Sequence, residues 1–210
     1  MGKLIKKDFY DRPVLVVAPE LLGCWLCRRL PDGQILRGRI VEVEAYLGQI
    51  DPAAHSFRGP TNRNRVMFGP PGFSYVYFTY GMHHCVNVVT EPEGKPTAIL
   101  IRGLDNIDHA NGPGRICKVM ELTREQSGID LTNKDGGLWI EHGTPSENEI
   151  IMISPRIGIS VAVDHLWRFF VKGSPGVTKS PMNKSAVPLI ANDDTRVKTA
   201  AASHTRKKPY

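Results

Sequence analysis

Glu42, Glu44 and Tyr46 alternate along the segment Arg39-Ile-Val-Glu-Val-Glu-Ala-Tyr46. In a strand, residues two apart share a face, so two carboxylates and a phenol gather on one side and Val41, Val43 and Ala45 on the other. Glutamate fits strand propensity badly, and such local misfits mark functional positions. A carboxylate placed this way can take a proton from water. The plain alternative is a solvated face, with Glu42 structural or paired with Arg37 or Arg39.

A second group lies in Ser74-Tyr-Val-Tyr-Phe-Thr-Tyr-Gly-Met-His-His-Cys-Val-Asn-Val-Val89, where aromatic strands flank a turn near Tyr80-Gly81-Met82. Tyr80 falls at the tip of this hairpin, where a bulky ring contributes little packing but can wedge between stacked bases. Tyr77 projects elsewhere and offers a flat platform. An aromatic hairpin packed on a sheet is the ordinary reading. Against it stands the preceding loop Arg58-Gly-Pro-Thr-Asn-Arg-Asn-Arg65, with three guanidinium groups suited to phosphates. A third piece, Asn111-Gly-Pro-Gly-Arg115, places Pro113 near a helix start with Arg115 and Lys118 beside it, a possible anion seat.

The elements that must position these groups follow from the pattern. A short helix is expected over Val14 to Leu22, opened by Asp11-Arg-Pro13. Strands are expected at Leu26–Leu30, Ile35–Tyr46, Ser74–Tyr80, Cys85–Val89, Ala98–Arg102, Leu138–Glu141, Ile150–Ser154 and Trp167–Val171. A turn and helix fall at Asn111–Leu122. Strands in runs with few long helices point to an α+β fold on a mostly antiparallel sheet. Gly48 to Pro71 reads as a long loop, a length usual for functional or disordered segments. The division expected is a domain over residues 1–180 and a flexible basic tail over 181–210, ending Arg206-Lys-Lys-Pro-Tyr210.

Composition narrows the classes. The 210 residues carry 27 Lys plus Arg against 21 Asp plus Glu, a net charge of +6 that favours an anionic partner. Hydrophobic residues make up 41%, enough for a sizeable core. No apolar run approaches bilayer length and the start lacks a signal-peptide core, so an intracellular protein is expected. Four cysteines are too few for a disulfide scaffold and suit a reducing interior. Cys24 and Cys27, three apart on a strand, point to opposite faces, and adjacent His83 and His84 are poorly spaced ligands, so no metal is expected.

In their order these motifs match a known family. The chain resembles the alkyladenine (3-methyladenine) DNA glycosylases over roughly Phe9 to Pro175. The resemblance rests on Leu36-Arg-Gly-Arg-Ile-Val-Glu-Val-Glu-Ala-Tyr-Leu-Gly48, Ala53-Ala-His-Ser56, Asn62-Arg-Asn-Arg-Val-Met-Phe68 and Tyr75-Val-Tyr-Phe-Thr-Tyr-Gly-Met82. Asn87, Leu100-Ile-Arg102, Asn111-Gly-Pro-Gly114, Pro155-Arg-Ile-Gly158 and Val171-Lys-Gly-Ser-Pro175 continue it. It implies a single curved-sheet domain, similar to the C-terminal domain of methionyl-tRNA formyltransferase. It also implies a cofactor-free monomer acting on double-stranded DNA, which flips a damaged purine from the duplex and hydrolyses its N-glycosidic bond.

By the same resemblance, Glu44 deprotonates the attacking water, which Arg102 and the main-chain carbonyl of Ile157 help to hold. Tyr46 and His55 cover one side of the flipped base and Tyr77 the other. Asn87 lines the pocket floor and crowds the amino group of guanine. Tyr80 fills the gap left in the stack. Arg63, Arg65, Arg115 and Lys118 take the DNA backbone. No lysine stands beside Glu44 as an amine nucleophile, which argues against a coupled lyase step.

The chain departs from the family in three places. Only Gly103 to Ala110 separates Arg102 from Asn111, where relatives usually carry a longer helical segment. Gly176 stands where some relatives have an aromatic, and the stretch after Lys179 has no family counterpart. The alternatives are a nucleic-acid-binding protein of the same fold without catalysis and, by fold analogy alone, an RNA-binding module.

Overall fold

The computed structural model describes residues 2–190. In chain order these form α1 (Lys7–Tyr10), α2 (Val14–Glu20), β1 (Trp25–Arg29), β2 (Ile35–Tyr46), β3 (Ser74–Thr79), β4 (His83–Thr90), β5 (Thr97–Asp105), α3 (Pro113–Val119), β6 (Leu138–Glu141), β7 (Ile151–Ser154), β8 (Arg168–Val171) and β9 (Val187–Pro188). Every pairing is antiparallel. The strand order is β3-β4-β5-β2-β8-β7-β9, with β1 joining β2 to β6. One α+β domain results, as expected from strands arriving in runs. Among the described residues no helix is long and apolar enough to cross a membrane.

β2 organises the sheet because it is long enough to serve three partners. Its first half pairs with β1, its second half with β8, and β5 runs along it from Arg39 to Tyr46. The register against β5 shifts on both sides of Glu42, a bulge that sequence alternation cannot foresee. An extra residue reverses the alternation locally. Val43 and Ala45 join the main core, whereas Val41 packs in a separate cluster with Met152, Phe170, Val171 and Val177. The single core face expected for Val41, Val43 and Ala45 is therefore divided.

The main core fills the space between the sheet and the short helices. Val14, Val17 and Ala18 of α2 and Ile116 and Cys117 of α3 meet Ile40, Val43, Ile99 and Ile101 there. The opening of α2 has no side-chain cap of its own. Instead Glu91, far along the chain, accepts the Val14 N–H at 3.1 Å.

One further expectation changes, and two gain detail. The stretch from Pro181 begins as part of the fold, since β9 pairs with β7 and Asn183 is hydrogen-bonded into the domain. A two-residue edge strand containing proline carries no readable periodicity. Residues 191–210 of the expected tail lie outside the described residues. The loop Gly48 to Pro71 contains 3₁₀ turns at Gly48–Ile50 and Arg65–Phe68. Finally, Gly176 is enforced by close packing: a Cβ there would lie 2.3 Å from the Leu104 carbonyl oxygen.

Candidate active site

β2 brings Glu44 to the centre of the sheet, between β5 and β8, and both Glu42 and Glu44 are completely buried. The solvated-face alternative fails on that burial. Nor do Arg37 and Arg39 serve Glu42, because they pair with Glu141 and Glu149. Glu42 instead meets Arg168 at 2.6 Å and Arg102 at 3.4 Å.

Glu44 is held by three donors. The Ile157 N–H reaches Oε1 at 2.7 Å, while the Tyr46 hydroxyl and Arg102 Nη1 reach Oε2 at 2.9 and 3.3 Å. A carboxylate has about four acceptor sites, so one remains, on Oε1. Burial and then the Glu44 charge push the Tyr46 hydroxyl well up, which keeps it a donor. Burial works to lower the Arg102 guanidinium, but Glu44 and Glu42 outweigh it, so Arg102 is raised and stays charged.

Tyr46, Arg102 and Ile157 all line a cavity of about 340 Å³, to which His55, Tyr75, Tyr77 and Tyr80 also contribute aromatic rings. Glu44 is not itself on the wall; it sits one layer behind these three residues. Asn87 is on the lining, on β4, with its amide nitrogen donating to the Tyr75 carbonyl at 2.9 Å. Its side-chain carbonyl is left as the acceptor.

His55 and Tyr77 also line the cavity, but they do not stand on opposite sides of it. Their rings touch edge to face with centroids 4.4 Å apart. A base between two rings needs about 7 Å, two contact distances. His55 Nδ1 lies 3.1 Å from the Tyr75 hydroxyl, an interaction that draws the imidazole toward the tyrosine wall. Partial desolvation and then the Arg63 charge lower the His55 pKa, so the ring is neutral at pH 7.

Tyr80 tops the hairpin as expected and is 83% exposed, yet it also borders the cavity. Tyr80 and Gly81 both have positive φ, at 50° and 68°, and the Met82 N–H returns to the Thr79 carbonyl. With Thr79 paired to His83 the loop is Tyr80-Gly81-Met82, and it imposes a left-handed backbone on a bulky residue.

The expected backbone-binding residues separate into two kinds. Arg65, Arg115 and Lys118 are exposed, the first two held only by neighbouring Asn62 and Asn111. Arg63 is exposed too, but it donates to the Phe78 carbonyl and lies over the Tyr77 ring at 5.2 Å, so it braces the hairpin.

Sequence reasoning missed the support behind Tyr46. Arg156 and Asp51, both fully buried, form a two-point pair at 2.5 and 2.9 Å, and Arg156 also donates to the Ala45 carbonyl. Its guanidinium is sandwiched between the Tyr46 ring at 4.5 Å and Trp167 at 4.9 Å, and His165 stacks on Trp167. The Asp51-Pro52 dipeptide signals a turn, and Asp51 does accept the Ala53 N–H. Nothing local pointed to an arginine more than a hundred residues away.

The sequence model of the methylpurine-DNA glycosylase family matches residues 8–175. A protein of Ehrlichia ruminantium (strain Welgevonden), named "Putative 3-methyladenine DNA glycosylase", is 48% identical over 184 residues, covering 85% of this chain and 93% of that protein. Proteins carrying the same name from Methanocella arvoryzae and Prosthecochloris aestuarii are 44% and 42% identical. Those matches cover 84% and 90% of this chain, and 96% and 99% of the two relatives.

Proposed function

Since the chain belongs to the methylpurine-DNA glycosylase family and is a DNA glycosylase, we propose that it extrudes damaged purines from duplex DNA into the aromatic cavity. There it hydrolyses the glycosidic bond without a coupled lyase step. The observation that carries this reading is that all three donors to Glu44 line that cavity. A carboxylate fixed at the cavity's rear can accept a proton from water and offset the positive charge that develops on the sugar.

In this reading the open acceptor site on Glu44 Oε1 takes the water proton. Arg102 bonds Glu42 through Nε and Glu44 through Nη1, leaving Nη2 to donate to the water oxygen while the Ile157 carbonyl accepts the water's second O–H. Tyr46, backed by Arg156, supports one face of the base. Tyr77 meets the other once His55 turns away from it, a movement open to an exposed side chain on a loop. Asn87 screens the base edge and Tyr80 occupies the vacated stack. The protein works as a monomer inside the cell, on the chromosome.

The substrate class is alkylated and deaminated purines: 3-methyladenine, 7-methylguanine, hypoxanthine and ethenoadenine. Alkylated cationic bases leave readily, so a buried carboxylate and a positioned water suffice for them. The test is base release from duplexes carrying each lesion. Free base with an alkali-labile abasic site is expected, and no release from undamaged duplex. Tight binding of the same duplexes with no release would replace this reading with that of a non-catalytic binding protein.

A further inference from the structure

Glu42 is the other carboxylate of β2, and among the described residues it is not on the lining of the cavity beside Glu44. Its Oε1 accepts Arg168 Nε at 2.6 Å and Arg102 Nε at 3.4 Å, and its Oε2 accepts the Thr178 N–H at 2.6 Å. Arg168, also fully buried, gives two further bonds, from Nη1 to Ser154 Oγ at 3.0 Å and from Nη2 to Asn183 Oδ1 at 2.9 Å, with its plane over the Phe170 ring. Asn183 returns a bond to the Thr178 carbonyl at 3.1 Å. Glu44, Arg102, Glu42 and Arg168 thus alternate in charge along one buried row that sums to zero. The far end of the row is held by Thr178 and Asn183, beyond residue 175 where the family match ends.

We propose that Glu42 is a positioning residue for base release: it fixes the plane of Arg102, and the segment Thr178–Asn183 fixes Glu42. A guanidinium held by one carboxylate can pivot about that contact, whereas two carboxylates, at Nε and Nη1, set its orientation. Here that orientation directs Nη2. Glu42 can act as an anchor because its own bonds to Arg168 and Thr178 are much shorter than its bond to Arg102. The chain after the family-matched region is thereby part of the site's support, although it lies outside the cavity. This inference rests on the reading that Arg102 and Glu44 handle the attacking water.

The test must separate positioning from folding, because Glu42→Gln alone strands a buried positive charge. The double variant Glu42→Gln/Arg168→Gln keeps the row neutral. It is expected to unfold at the native temperature and bind a duplex containing a tetrahydrofuran abasic-site analogue within about twofold of native. Single-turnover base release should slow by roughly 10- to 100-fold. Introduced into Arg102→Gln, the same pair should add no further loss, because its effect passes through Arg102. Asn183→Ala, at a half-buried position, should slow release by about two- to fivefold at unchanged affinity. Native release rates in the double variant, or a full additional loss in the Arg102→Gln background, would overturn the proposal. Should the double variant not fold, Asn183→Ala decides: slower release at native affinity supports the proposal, and an unchanged rate overturns it. Glu44→Gln serves as the control. If it releases base normally, the parent reading falls; if it is inactive while the double variant is native, only the role of Glu42 falls.

Discussion

Two tyrosines border the same cavity and are held in opposite ways. Tyr46 has its hydroxyl on Glu44 and its ring against Arg156, which is itself locked by Asp51 and Trp167. Tyr80 stands 83% exposed on a turn that gives it a left-handed backbone. At the floor, buried charges and stacked rings leave each group one arrangement, which suits chemistry that must aim a water. At the tip, the ring is held by the turn alone and is available to another molecule. The floor is built for geometry and the tip for contact, so substitutions should divide along that line.

The largest effect is expected where the floor's support is broken. Arg156→Met leaves Asp51 buried without its partner and should cost about 3–5 kcal/mol of stability, while Arg115→Ala at the exposed rim should stay within about 0.5 kcal/mol. Chemical denaturation measures both. Equal costs would erase the distinction between the regions.

At the tip, the expected trade runs the other way. Tyr80→Asn should weaken binding to damaged duplex by about 1–3 kcal/mol, the worth of a stacking contact. Asparagine tolerates a left-handed backbone, so the melting temperature should hold or rise. Paired binding and melting measurements test this, and a variant that binds like the native protein would remove Tyr80 from the interface.

The smallest effects belong to the outlying cations. Alanine at Arg65, Arg115 or Lys118 should each lower the slope of log affinity against log salt by about one, with base release from bound complexes unchanged. Arg63, tied to Phe78 and Tyr77, should also disturb the hairpin. If Arg63→Ala behaves like the other three, its bracing role is not real.

The sequence made local features readable and hid the long-range ones. The limits of β2 and the alternation of Glu44 with Tyr46 follow from a period of two, and the hairpin follows from its turn between aromatic runs. The bulge at Glu42 was not readable, because one inserted residue leaves no mark in composition. The pair Asp51–Arg156 and the row from Glu44 to Arg168 join strands and loops distant in the chain, and only tertiary packing brings them together. The contact of His55 with Tyr77 depends on one side-chain orientation, which resemblance to a family cannot supply. The strand β9 was lost in a polar stretch because two residues are too few to show a pattern.

In the proposed reading, Glu44 activates the water that cleaves the glycosidic bond. The direct measurement is single-turnover base release by Glu44→Gln, read beside its affinity for duplex containing an abasic-site analogue. Release slowed by roughly 10²–10⁴-fold at near-native affinity is the predicted result. Release at close to the native rate would contradict the account.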